Sequence, residues 1–364
     1  MNKNSNGVNI GFWGKLQPKA DQPMAGNKPV MVLAPMADVT DAAFRRIIAK
    51  YSKWGGRDVS DEEAGSHFAQ EGYAGQVVMW TEFVSADGLC HPKGREKLLI
   101  DLSYSESERP IVAQLFTGHP EKMYEAAKLV QSLGFDGLDI NMGCPDRKVE
   151  KQCAGAALMK NSELARAVIR AAKEGAPNLP VSVKTRIGYN KNELEMLLPE
   201  LLAEKPAVVT IHCRTRKEMS DVPARWEHVR EAVAIRDRLG SKTLIFGNGD
   251  ALNLDDARAK ALASGADGVM LGRAIFGNPF LFSQKCPDRS VGAGVTEYLR
   301  VMLEHTKLFE ELFKGVKNFA VMKKHYKAYV NGFDGAKELR VKLMEAENAA
   351  EVENGVKDYL KTLY

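Results

Sequence analysis

Phe135-Asp136-Gly137-Leu138-Asp139-Ile140, continued by Asn141-Met142-Gly143-Cys144-Pro145, is the stretch on which the fold turns. Its first half is a short run of the kind that forms a covered strand. Its second half sets a polar amide and a thiol in a glycine turn just where that strand runs out. Farther on, Gly155-Ala156-Ala157-Leu158 opens a helical pattern, so the whole segment reads as strand, functional loop, helix.

The same alternation recurs on both sides. Apolar runs at Val30–Ala34, Val77–Phe83, Ile111–Phe116, Gly137–Ile140, Val181–Lys184, Ala207–His212, Thr243–Phe246 and Gly268–Leu271 give eight predicted strands. Each is nearly continuously apolar, as parallel strands covered on both faces are. Amphipathic stretches such as Glu121–Leu133, Ser162–Lys173, Trp226–Leu239 and Leu254–Ser264 fall between them, the last with Asn253 as its predicted cap. The pattern predicts an α/β fold, a (β/α)8 TIM barrel over residues 29–288.

Such a barrel carries its chemistry on the loops after the carboxyl ends of its strands. Those positions hold Pro35-Met36, Glu82, Gln114, Asn141 with Cys144, Lys184 with Arg186, His212 with Arg214, Asn248 with Asp250, and Gly272-Arg273. Any one of them alone reads equally well as a strand-end residue reaching solvent. Polar residues at nearly every strand end are too regular for that.

The 364 residues, 45% hydrophobic, suffice for a large core, and length alone allows two domains or one long barrel. A net charge of +4 permits an anionic partner without requiring one. The cysteines (Cys90, Cys144, Cys153, Cys213, Cys286) are odd in number and lack CxxC spacing, which argues against a disulfide framework or an iron–sulfur site and fits a reducing, cytoplasmic setting. Cys90-His91 and His212-Cys213 are neighbours whose side chains would point to opposite faces of a strand, so no metal site is expected. Residues 1–28, rich in Asn, Gly and Lys, read as a polar extension without a signal peptide, and no later apolar run approaches the roughly 18 residues a membrane helix needs.

From Gly292 onward the strand signal is gone. Helical periodicity in Val295–Phe313, Val316–Val330, Ala336–Glu345 and Ala349–Leu363 predicts a second, all-helical domain over residues 291–364. Lys314, Lys317, Lys323, Lys324, Lys327, Lys337, Arg340 and Lys342 crowd together there, with His325, Tyr326 and Tyr329 interleaved. The cluster suits a phosphate backbone, and it suits an ordinary solvated helix face as well.

Gly247-Asn248-Gly249-Asp250 and Leu271-Gly272-Arg273-Ala274 close the last two predicted strands, where barrels bind phosphate on backbone N–H groups. Glycine permits close backbone approach, and Arg273 adds a bidentate partner for phosphate oxygens. Together they point to flavin mononucleotide (FMN). No GxGxxG follows a strand, so a separate dinucleotide-binding domain is not expected.

Several motifs now fall into one set: Ala34-Pro35-Met36-Ala37-Asp38-Val39-Thr40-Asp41 with Phe44-Arg45; Thr81-Glu82-Phe83-Val84-Ser85-Ala86; Asp139–Pro145 with Lys148-Val149 and Gly155-Ala156; Lys184-Thr185-Arg186; His212-Cys213-Arg214-Thr215-Arg216; and Gly272-Arg273 with Gly277-Asn278-Pro279. Over nearly the whole chain this set resembles the tRNA-dihydrouridine synthase family. The resemblance implies a flavin barrel followed by a helical tRNA-binding domain, with NADPH-dependent reduction of the uracil C5–C6 bond in tRNA, and it implies tRNA and NADPH but no particular protein as partners. Position by position, it implies that Pro35, Met36, Gln114, Lys184, His212, Asn248, Gly249, Asp250, Gly272 and Arg273 line the FMN. It further implies that Asn141 meets the polar edge of the uracil and that Cys144 is the general acid, protonating C5 after hydride reaches C6 from reduced FMN. A thiol with an ordinary pKa of about 8.5 is mostly protonated at neutral pH and suits that part. A stacked uracil must be swung out of the tRNA at a cost of a few kcal/mol; Arg147, Lys148, Arg214 and Arg216 beside the barrel mouth, and Lys323 and Lys324 in the tail, are the basic residues expected to hold the RNA.

The match departs from the family at three places. Ser52–Gln76 is longer than expected, and its Trp54, Arg57 and Tyr73 either touch RNA or pack on the rim. Members often have Tyr-x-Gly-x-Ala-Asp-Trp after strand six, whereas this chain has Ser220-Asp221-Val222-Pro223-Ala224-Arg225-Trp226, which leaves the aromatic partner of the base unassigned. Phe280 stands where a Trp is common. Two rival readings remain: an FMN barrel acting on a free small molecule, dihydroorotate dehydrogenase-like, which would not need the basic tail; and a non-catalytic RNA-binding scaffold, against which Cys144, Lys184 and His212 speak.

Overall fold

A computed structural model describes residues 7–16, 29–72, 76–283, 286–289 and 292–362. Eight parallel strands, β1 (Val30–Leu33), β2 (Met79–Ser85), β3 (Ile111–Phe116), β4 (Gly137–Asn141), β5 (Val181–Arg186), β6 (Val208–His212), β7 (Leu244–Asn248) and β8 (Gly268–Leu271), are hydrogen-bonded in the order β1-β8-β7-β6-β5-β4-β3-β2. A parallel bridge between Val32 and Val78, with Leu33 N donating to Val78 O at 2.9 Å, joins the first strand to the second and closes the ring. The barrel expected from the apolar runs is the fold observed. Several strands extend farther than those runs, because polar residues such as Asn141, Arg186 and Asn248 take part in the ladder as registered partners.

The helices Pro120–Ser132, Ser162–Gly175, Glu227–Arg238 and Leu254–Ser264 follow the sequence closely. Asn253 caps the last of them, its Oδ1 accepting from Asp256 N at 2.9 Å. Gly155–Lys160 forms a 3-10 turn rather than the start of an α-helix, which begins only at Ser162 under the Asn161 cap.

Because alternate residues of a strand face inward, the barrel interior is layered. Its floor is apolar, with Val32, Val78, Trp80, Val112, Val208, Phe246 and Met270 packed together. Into this floor runs Trp13, 1% exposed, its ring centroid 5.4 Å from Phe246 in an edge-on contact and 5.7 Å from Trp80. The description of residues 1–28 as a polar extension is therefore corrected for its middle. Val8, Phe12, Trp13 and Leu16 are buried, and Asn9 Nδ2 donates to Leu179 O at 3.2 Å. The average composition of the segment hid a short apolar plug; residues 1–6 and 17–28 lie outside the described residues. Above the floor the inward-facing ring turns polar, with Gln114, Asp139, Asn141, Ser182, Lys184, Thr210, His212 and Asn248 registered side by side.

The chain forms two compact units. One, Met1–Met36 with Gly65–Ser103 and Arg109–Gly272, is the barrel; the other, Ala37–Ala64 with Tyr104–Glu108 and Arg273–Tyr364, is mainly helical. The sequence reading set a boundary between residues 288 and 291, whereas by compactness the helical unit also takes two segments from within the barrel's stretch of sequence. The helix Ala42–Ser52 explains why: Lys50 Nζ lies 2.6 Å from Glu304 Oε1, and Tyr51 Oη donates to Glu304 Oε2 at 2.5 Å. Arg45, fully buried, donates from Nε to Glu108 Oε2 at 2.7 Å and from Nη1 to Thr40 O at 2.6 Å, so the two inserted segments are locked together.

Helices Gly292–Phe313, Met322–Tyr329, Ala336–Glu345 and Ala349–Lys361 complete this unit. The continuous helix expected over 316–330 is instead preceded by a 3-10 turn, where Asn318 Oδ1 accepts from Ala320 N at 2.8 Å and sets a new start. At the centre of the unit His305 and His325 are fully buried, ring centroids 4.8 Å apart, among Phe44, Phe276 and Tyr329. None of their four ring nitrogens has a hydrogen-bond partner among the described residues. Among those residues no helix is long and apolar enough to cross a membrane.

Candidate active site

The loop after β4 is built by one side chain. Asn141 Oδ1 accepts from Gly143 N at 3.1 Å and from Cys144 N at 2.9 Å, closing a tight turn, while its Nδ2 donates to Gln114 Oε1 at 3.0 Å. Below it the fully buried Asp139 accepts from Gln114 Nε2 at 2.6 Å and from Ser182 Oγ at 2.5 Å, and burial pushes its carboxyl up to about 6. Cys144 O accepts from Ala156 N at 2.9 Å. Gly155 makes that approach possible: its φ is +58°, and a Cβ there would sit 2.8 Å from both Cys144 O and Val149 Cγ1. Cys144 is half-buried against the apolar cluster of Phe83, Phe116, Val149 and Ala154, and this burial raises its thiol above the ordinary value. The sulfur is thus held in its protonated form.

Cationic and donor groups ring the same mouth. Register places Asn141 beside Lys184, Lys184 beside Thr210, Arg186 beside His212 and His212 beside Asn248. Desolvation lowers Lys184 to about 8, which still leaves it charged at neutral pH. His212 Nε2 lies 3.2 Å from Arg214 Nη1. A guanidinium can only donate, so Nε2 accepts and the imidazole proton is on Nδ1.

Arg214, expected to hold RNA, is 2% exposed and spent on the site itself. It pairs through Nη2 with Asp250 Oδ2 and donates from Nε to Val222 O at 2.5 Å. Arg216 forms a two-point pair with Glu150 and reaches Pro145 O at 3.3 Å, its guanidinium 5.3 Å from the Tyr189 ring. Arg147 and Lys148 stand exposed beyond Cys144.

Arg186, quoted among the strand ends but given no part, is a candidate-site residue that sequence reasoning missed. It is buried and donates to Gly143 O at 2.9 Å, to Thr215 O at 3.0 Å and to Met219 O at 2.9 Å, tying the Cys144 loop to the loop after β6. The available signal was its position two residues beyond Lys184, on the same side of the strand.

The turns after β7 and β8 present glycine edges. Asn248 Nδ2 donates to Met270 O at 2.8 Å, and Asp250 Oδ2 accepts from Ala224 N at 2.9 Å. Gly249 has φ +130°, and a Cβ there would meet Ala224 Cβ at 2.8 Å. A Cβ on Gly272 would lie 3.6 Å from Ala34 Cβ and 3.7 Å from Met36 Sδ, which brings Met36 to that turn; Pro35 is partly exposed next to it and Arg273 is exposed. Backbone N–H groups at glycine turns suit a phosphate, and Lys184, His212 and Gln114 suit the acceptor-rich edge of a flavin ring, so this donor set fits FMN. Among the described residues no group of three or more His, Cys, Asp or Glu is placed to hold a metal; Cys213 is buried in an apolar cluster, away from the face that carries His212.

In the helical unit Lys323 and Lys324 are partly exposed on the helix Met322–Tyr329, with Lys324 Nζ 3.8 Å from Asp38 Oδ2. The interleaved His325, Tyr326 and Tyr329 are buried core, not a surface that could stack on RNA. Trp54 is buried too, donating to Ser107 O at 3.0 Å; Arg57 is exposed, 3.5 Å from Glu63; Tyr73 lies outside the described residues.

Residues 32–363 match the family model for dihydrouridine synthase. A protein of Staphylococcus aureus (strain COL) named probable tRNA-dihydrouridine synthase is 36% identical over 342 residues, 93% of each chain. Probable tRNA-dihydrouridine synthase 2 of Bacillus subtilis (strain 168) is 36% identical over 334 residues, 91% of this chain and 94% of its own. Among solved structures, morphinone reductase overlaps 75% of this chain and 93% of its own at 14% identity and a TM-score of 0.45, a likeness too slight to inform the chemistry.

Proposed function

The chain belongs to the dihydrouridine synthase family, and on that footing we propose that it reduces the C5–C6 double bond of uridines in tRNA, with FMN as bound cofactor and NADPH as reductant. The observation that carries the reading is a half-buried thiol at the barrel mouth, on a loop built to a fixed shape. When bound and reduced by NADPH, FMN supplies the hydride that adds to C6 of the uracil. Cys144 gives the proton from Sγ to C5, where negative charge gathers as C6 is attacked. Asn141, with both oxygen lone pairs used on the loop and one amide hydrogen on Gln114, keeps one N–H for a carbonyl of the base.

Lys184 and His212 would offer a positive charge and an N–H donor to the flavin, and Gln114 with the Pro35-Met36 turn would help to hold it. The glycine edges Asn248-Gly249-Asp250 and Gly272, with Arg273, would take the phosphate. Arg214 holds Asp250 and His212 in place. Arg147, Lys148 and the exposed part of Arg216, together with Lys323 and Lys324 of the helical unit, offer positive charge to the RNA backbone. A tRNA substrate supports a cytoplasmic setting for the enzyme.

The test uses the purified full chain. It should carry a flavin spectrum and form dihydrouridine in tRNA when given NADPH. Cys144→Ala should keep FMN and tRNA binding and lose most of the reduction; turnover at the parent rate would remove the acid assignment. Reduction of free uracil or orotate in place of tRNA would overturn the substrate.

A further inference from the structure

We propose that Asp139 is a positioning residue for Cys144, acting by locking the amide orientations of Gln114 and then Asn141. The inference rests on Cys144 being the proton donor. An ionised carboxylate can only accept hydrogen bonds. Asp139 Oδ2 therefore commits Gln114 to turning its Nε2 downward, at 2.6 Å, and its Oε1 toward Asn141. That oxygen commits Asn141 Nδ2, at 3.0 Å, and so turns Asn141 Oδ1 onto the backbone N–H groups of Gly143 and Cys144.

Flipping Gln114 would set oxygen against the carboxylate and N–H against N–H. Flipping Asn141 would drop both bonds to the loop. Asp139 and Gln114 are fully buried and Asn141 is 6% exposed, so water cannot stand in for a lost partner, and each buried group left unpaired costs about 1–3 kcal/mol. One acceptor at the base of the pocket thus decides where the sulfur sits, two side chains away. A neutral amide at residue 139 offers both an oxygen and an N–H, so it cannot enforce either orientation.

Asp139→Leu strips Gln114 Nε2 and Ser182 Oγ of their acceptor and risks the fold; the isosteric Asp139→Asn keeps the packing and replaces the obligate acceptor with an amide. In Asp139→Asn, kcat for tRNA should fall about tenfold, the scale of a modest misplacement of a reacting group, with a smaller change in KM for tRNA, whose affinity rests mainly on phosphate contacts. Alkylation by iodoacetamide gives a second readout, independent of turnover. In a background of Cys90→Ser, Cys153→Ser and Cys286→Ser, Cys144 should react several-fold faster as its loop loosens, while the buried Cys213 stays unreactive. Parent values of kcat and of the alkylation rate would overturn the proposal, and so would a Cys213 that becomes reactive in step, since that reports general loosening. If Cys144→Ala proves fully active, the acid reading fails by itself, and the alkylation rate of Asp139→Asn still decides whether Asp139 sets the loop.

Discussion

Acidification should unfold the helical unit through one pair of side chains. His305 and His325 are buried with no partner for any ring nitrogen among the described residues, and burial lowers His305 to about 3 and His325 well below its ordinary value. In the unfolded chain each titrates near 6.5. Because the native values are depressed, the unfolded state binds more protons below that point, so stability is present above pH 6.5 and is lost as pH falls toward the native values. At pH 5 each histidine has cost the native state about 1.4 kcal/mol for each of 1.5 pH units, or about 2 kcal/mol, and the pair about 4 kcal/mol. The figure needs only that both native values lie well below 5. Urea unfolding of the full chain at pH 7 and pH 5, followed by far-ultraviolet circular dichroism, measures it against His305→Leu/His325→Leu. The carboxylates titrate alike in both proteins, so the difference isolates the pair. If the double variant loses as much stability as its parent over that interval, the reasoning is wrong.

Trp13→Ala should empty the barrel floor and cost about 3–5 kcal/mol, read as a lower melting temperature; an unchanged one would mean the plug is passive. Gly155→Ala forces a Cβ to within 2.8 Å of Cys144 O at φ +58°. It should lower stability by about 1–3 kcal/mol and cut uridine reduction more than FMN content; equal losses of both would tell against a specific effect on the Cys144 loop. Lys323→Glu with Lys324→Glu should weaken tRNA binding and flatten the slope of log K against log salt by about 2. Binding unchanged at every salt concentration would remove the helical tail as a docking surface.

The barrel was legible because its evidence is distributed. Eight apolar runs of the right length, most with a polar residue at or near the carboxyl end, leave little room for another arrangement, and Asn253 announced its helix by type and place. What sequence reading missed depends on partners rather than on residue type. Arg214 and Arg216 look alike in the chain, yet one is buried on Asp250 and the other pairs with Glu150 beside Tyr189. Arg186 could be placed on the inward face from its spacing to Lys184, but nothing local names the three carbonyls that receive it. For Met322, His325, Tyr326 and Tyr329 the signal was present: spacings of three, four and seven mark one helix face, and the flanking lysines masked it. Trp13 was hidden differently, four apolar residues averaged into a polar segment.

The way the helical unit draws on the chain has a consequence for how it can be made and moved. Phe44 and Arg45 leave the ribosome long before His305 and His325 that Phe44 packs against, so a nascent chain halted after Leu271 would have all eight strands and still carry the helix Ala42–Ser52 with no cover from Gly292–Phe313. Cutting at residue 291 likewise yields a tail without its own interior, and recombination could not transplant that tail to another barrel unless residues 37–64 and 104–108 travelled with it.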